Sequence, residues 1–77
     1  PEGVQPVTTA PTIEISDDNQ MTIVPANADD SMGYRVNNGR WKIYSRPFTA
    51  PAGSNIQAKA VRYGWAESPV VHTGLPE

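Results

Sequence analysis

The sequence predicts an all-β fold, a small sandwich of six to seven short strands. Three observations carry that prediction. No stretch of ten or more residues sets apolar side chains at helical spacing without a proline or glycine interrupting it. Short runs that alternate apolar and polar residues stand between turn signals instead, the pattern of half-buried strands. Eight prolines and six glycines among 77 residues supply turns at the density that such short strands need.

Each element follows from its own residues. Residues 1–10, "PEGVQPVTTA", hold two prolines and little apolar bulk, and are expected as a linker or extended lead-in to a domain over 11–77. Thr12 to Ser16 predicts a first strand with Ile13 and Ile15 on one face. "SDDNQ" is a turn, because Asp and Asn side chains bond their own backbone there. Met21 to Val24 is a second strand closed by Pro25, and the polar "ANADDS" is a loop. The stretch "VNNGRW" then marks a hairpin. Asn-Gly suits the centre of a type I′ turn, where both central residues need positive φ. Centred on Asn38-Gly39, that turn sets Val36 opposite Trp41, Arg35 opposite Lys42 and Tyr34 opposite Ile43. Opposed residues share a face. Tyr34, Val36, Trp41 and Ile43 therefore form an apolar face, and Arg35, Asn37, Arg40 and Lys42 a polar one.

Beyond Tyr44 the chain turns through "SRPFTAPAGS", with Phe48 as an isolated apolar anchor. Asn55 to Arg62 alternates Ile56, Ala58 and Ala60 inward against Gln57, Lys59 and Val61 outward. Alanines at successive inward positions imply a closely overlaid neighbouring sheet. "YGWAES" is a bend in which Gly64 takes positive φ. Ser68 to Thr73 is the last strand, opened by Pro69 where a missing N–H is tolerated.

Composition narrows the function classes. A net charge of -2 with six dispersed Lys and Arg lacks the concentrated basic face expected of a nucleic-acid binder. No apolar run approaches a membrane span, and no secretion-signal pattern is present. Cysteine is absent, which removes disulfides and thiolate metal sites and suits a bacterial or cytosolic origin. The chain opens "PEGVQP" and closes "GLPE", and is expected to be part of a longer polypeptide.

The ordered set of Pro11-Thr12-Ile13, "YRVNNG", and "IYSRPFTAPAGSNIQAKAVRYGWAESPVV" resembles a known family. It is similar to the small immunoglobulin-like domain of the chitobiase and β-hexosaminidase C-terminal type, and to the fibronectin-type-III-associated domain of bacterial carbohydrate-active enzymes. The resemblance rests on Tyr44-Ser45-Arg46-Pro47-Phe48, on Ile56 to Val61 as an "IKAxAV" strand, and on Gly64-Trp65-Ala66-Glu67-Ser68, and covers residues 11–72. The chain departs from that pattern at Asn38-Gly39-Arg40-Trp41-Lys42, where the family's turn runs Asp-Gly-Ser-x-Pro-Thr. The resemblance implies an immunoglobulin-like or fibronectin-like sandwich. It would serve as a non-catalytic spacer or stabiliser of a larger secreted enzyme, such as a glycoside hydrolase or sulfatase. The expected partner is the catalytic domain of the same polypeptide, in the periplasm or outside the cell. A monomer with no cofactor is expected, with no nucleic acid and no membrane span.

Candidate chemistry is sparse. Asp17-Asp18 and Asp29-Asp30 are adjacent pairs in loops, where turn formation accounts for them better than the paired carboxylates of glycoside hydrolysis. Neither loop has the spaced ligands of a calcium loop, so no metal site is expected. His72 stands alone, without the partners of a catalytic triad. The remaining sharp possibility is an aromatic sugar platform or domain contact formed by Trp41, Tyr44 and Arg40. Against it, so small a domain must bury most of its aromatics, which predicts that Trp41 caps the core beside Val36 and Ile43. A carbohydrate-binding module and an adhesin-like domain using an exposed strand edge are the alternatives to the accessory role.

Overall fold

A computed structural model describes residues 6–76. Among them lie seven strands and no helix: β1 Thr12–Ile15, β2 Gln20–Val24, β3 Ser31–Val36, β4 Lys42–Ile43, β5 Phe48–Thr49, β6 Asn55–Val61 and β7 Val71–Gly74. One antiparallel sheet has the order β1-β2-β5 and the other β4-β3-β6-β7. In the lettering of immunoglobulin-like sandwiches this is A-B-E against C′-C-F-G. The all-β sandwich read from the sequence is the observed fold.

The core follows from period-two alternation. On β6, Ile56, Ala58 and Ala60 are buried, as their inward positions require, and on β2 Met21 and Ile23 are buried as well. Met21, Ile56 and Leu75 make the centre, with Ile13, Val36, Phe48 and Ala50 packed against it. Ala58 stands opposite Tyr34, and its small side chain leaves room for the tyrosine ring above the sheet. That ring stacks on Phe48 of the facing sheet at 3.9 Å between centroids, and Tyr44 meets both rings edge-on. The aromatic trio closes the flank of the sandwich between β4 and β5.

Two segments differ in detail from the sequence expectation. Pro69 falls opposite Ala60 when the β6–β7 register is continued past Ala58↔Val71, and proline has no N–H to offer. Ser68 takes over: its N–H donates to Ala60 O, and its hydroxyl oxygen accepts from Ala60 N–H at 2.8 Å. The regular strand therefore starts at Val71 and not at Ser68. In the lead-in, residues 1–5 lie outside the described residues. Pro6 to Thr8 runs extended along Ala66, with Val7 and Ala66 forming a parallel bridge. Thr8 N–H and Oγ1 both donate to Ala66 O, Ala66 N–H donates to Pro6 O, and Thr8 is buried.

The hairpin corrects the expected register by one residue. Gly33 pairs with Ile43 and Tyr34 with Lys42. The positive φ values belong to Asn37 and Asn38, at 52° and 60°, while Gly39 N–H closes the turn onto Val36 O. One extra residue on the β4 side, between Gly39 and Lys42, then converts the turn's register into that of the ladder, which is a bulge. Two contacts pin this arrangement. Asn37 N–H donates to Asn55 O and its Oδ1 accepts from Asn55 N–H at 2.8 Å, fixing Asn37 on the β6 end. Tyr44 reaches the inner aromatic trio only if it faces inward. A one-residue slip exchanges the faces of every side chain beyond the turn. Trp41 and Ile43 therefore face outward, and Trp41 is not the core cap that the Asn38-Gly39 turn implied.

Candidate functional site

The outer face of the four-stranded sheet carries Gly33 and Arg35 from β3, Lys59 and Val61 from β6, and Ile43 from β4, each in paired register. Gly33 is the low point. An atom placed at its Cβ position would lie 3.7 Å from Cε3 of Trp41 and 3.4 Å from the Lys42 carbonyl oxygen. The indole thus lies across a bare stretch of strand, where interior glycine admits such close approach. Two cations flank the ring: Lys59 Nζ is 4.5 Å and Arg35 Cζ 4.9 Å from its centroid. Both are held from behind. Lys59 Nζ is 3.2 Å from Glu67 Oε1, and Arg35 Nε donates to Gln57 Oε1.

Between Trp41, Ile43 and Val61 runs a groove of about 270 Å³, floored by Gly33 and edged by the Lys42 backbone and by Lys59. Its walls are mainly hydrocarbon, and no carboxylate or imidazole lines it. Ile43 is 85 % exposed there, the most exposed large aliphatic side chain of the described residues. Such a slot can hold an apolar side chain beside the Lys59 ammonium group. It has no acid–base pair and no donor set for a metal.

The sequence-predicted site residues do not converge. Trp41 lies in the groove. Arg40 is exposed on the bulge beside it. Tyr44 is on the opposite face, against Tyr34 and Phe48. The acidic pairs occupy turns. Asp18 accepts from the Ser16 hydroxyl, which together with backbone N–H groups of Asp18 and Gln20 holds its carboxyl below the ordinary carboxylate range. Asp29 sits 3.7 Å from Arg62 and its N–H bonds Asn27 Oδ1. Among the described residues no three His, Cys, Asp or Glu side chains group as metal ligands.

No family model, characterised protein or solved structure matches this chain. The groove's description therefore stands on its own geometry. Sequence reasoning missed Gly33, Ile43 and Lys59 as groove residues. Lys59 and Val61 were already assigned outward positions on β6. A glycine next to Tyr34 within an alternating run was the further signal, since it leaves the face beside it open. Also visible in sequence, though counted as dispersed, is the placement of the charges. All six Lys and Arg lie between Arg35 and Arg62, and no Asp or Glu lies between Asp30 and Glu67.

Proposed function

We propose that this chain is a non-catalytic accessory module, with the outer groove of its four-stranded sheet as the contact surface for a neighbouring domain of a carbohydrate-active polypeptide. One observation carries the contact: an exposed Ile43 and a half-buried Trp41 flanking an apolar slot on an otherwise polar sheet face. The resemblance of residues 11–72 to accessory domains of secreted bacterial enzymes supports the setting, periplasmic or extracellular. The geometry suits a protein neighbour better than a sugar. A sugar platform needs a bare aromatic face with hydroxyl-binding groups beside it, whereas this indole lies over Gly33 with Arg35 and Lys59 against its ring.

The test compares the module alone with the same residues in the longer polypeptide. Acrylamide quenching of Trp41, with Trp65 replaced by Phe, is expected to fall when the neighbour is attached. Equal quenching in both would sink the contact. A carbohydrate-binding role is favoured by a different place, the bend where Tyr63 is fully exposed beside Trp65, itself covered by Arg62 at 4.6 Å. Soluble polysaccharides at millimolar concentration that shift the Tyr63 ring signals, and fail to do so in Tyr63→Ala, would establish that second role.

A further inference from the structure

The free edge of β4 extends this contact. Tyr44 N–H donates to Met32 O at 2.8 Å, so Met32 and Tyr44 form a hydrogen-bonded pair of the β3–β4 ladder. Hydrogen-bonded and non-hydrogen-bonded pairs alternate in antiparallel strands. Gly33 and Ile43 are then a non-hydrogen-bonded pair, and the Ile43 N–H and C=O point away from β3, off the edge of the sheet. The same residue carries the exposed side chain that walls the groove. A backbone donor, a backbone acceptor and an exposed aliphatic side chain thus meet at one position.

The charges decide the occupant. Arg40, Lys42 and Arg46 lie on β4 and its flanks, and none has an ion-pair partner among the described residues, whereas Lys59 and Arg62 do. Edge-to-edge pairing with a second copy about Ile43 would set Arg40 opposite the other copy's Arg46, and opposed like charges destabilise a strand pair. An extended segment with alternating carboxylate and aliphatic side chains matches both features. Its carboxylates meet the unpaired cations, and one aliphatic residue packs on the exposed Ile43 side chain.

We infer that β4 accepts an acidic, aliphatic-alternating peptide strand by β-addition at Ile43, with an aliphatic side chain of that strand packed against the exposed Ile43 side chain, the outer wall of the groove. This rests on Ile43 and the groove it walls being the module's contact surface, and names the chemistry of what that edge contacts. Strand addition takes affinity from main-chain hydrogen bonds and selectivity from side-chain pockets.

The experiment titrates the ¹⁵N-labelled protein with an acetylated, amidated peptide of alternating Glu and Val. The Ile43 amide is expected to shift and to become protected from hydrogen exchange. Lys42→Glu combined with Arg46→Glu is expected to weaken binding about tenfold, and the corresponding Lys/Val peptide to be inert, because complementary charge selects the partner. A Glu/Val peptide N-methylated at alternate residues is expected to lose binding. Binding that survives N-methylation, equal shifts with dextran sulfate or a single-stranded oligonucleotide, or no shift at millimolar peptide would each overturn strand addition. If the peptide fails while Trp41 remains shielded in the longer polypeptide, strand addition falls and the accessory contact stands. If the peptide binds and Trp41 is not shielded there, the accessory contact falls instead.

Discussion

At the residue scale, Asn37 shows how one side chain settles a register. It holds a φ of 52° and bonds Asn55 through both its N–H and its Oδ1. Replacing it separates the two effects. Asn37→Gly keeps the backbone conformation and loses the side-chain bond, and is expected to cost about 1 kcal/mol. Asn37→Ala loses the same bond and also replaces a residue whose polar side chain tolerates the left-handed region with one that does not, for a total of about 1–3 kcal/mol. Urea unfolding of the two variants checks this, and equal losses would place the turn elsewhere. The residues gave no way to choose between Asn37-Asn38 and Asn38-Gly39, because both pairs tolerate positive φ. The choice was made by Asn55, eighteen residues away in sequence, and by the need of Tyr44 to face Tyr34 and Phe48. Trp41's face follows from the same choice, since a one-residue change of register moves it from the inner to the outer side of the sheet. Asp18 provides a second test at this scale. Its depressed pKa means the folded turn favours the carboxylate, so its contribution is present above the unfolded pKa and fades as pH falls through the lower, folded one. The Asp18 carboxyl carbon is expected to titrate at lower pH than in a peptide of residues 14–22, and Ser16→Ala should move it back toward the peptide's midpoint.

At the element scale, the β6–β7 pair depends on a substitution for a missing donor. Ala60 and Ser68 are both buried, and Ser68 alone supplies the acceptor for Ala60 N–H and the donor for Ala60 O. Ser68→Ala is expected to leave the Ala60 N–H buried without a partner, at a cost of about 1–3 kcal/mol. Ser68→Thr keeps the hydroxyl and should recover most of it. The Ala60 amide's exchange rate distinguishes these outcomes, since only the alanine variant should accelerate it beyond the change in global stability. Strand identity was legible wherever alternation was strong: the inward set Ile56, Ala58 and Ala60 is the one observed. It was less legible at the ends. β7 starts three residues later than its sequence pattern, because a proline inside an alternating run costs the ladder one donor and the chain repairs the loss locally. β3 begins before Tyr34, and the sequence hid that start because glycine at position 33 contributes no side chain to the pattern.

At the scale of the whole molecule, the lead-in closes the sandwich where β6 gives way to β7. A domain this small buries a modest share of its unfolded surface, so a few contacts weigh heavily in its net stability. Pro6 to Thr8 adds three hydrogen bonds to Ala66, two of them from Thr8, which is 2 % exposed. A chain beginning at Pro11 would lose all three and open that strip to water. At about 1 kcal/mol net for each bond, the expected loss is about 2–4 kcal/mol. For a domain of this length that lowers the thermal midpoint by roughly 10–25 °C. Thr8→Val removes only the hydroxyl at nearly constant shape, and is expected to cost about 1 kcal/mol. The pair separates docking from mere attachment. If the shortened chain melts with the full one, residues 6–10 are an appendage and the structural domain begins at Pro11. If it melts far below, and Thr8→Val falls between, the lead-in is an integral strip of the sandwich, and any boundary drawn for expressing this module must keep it.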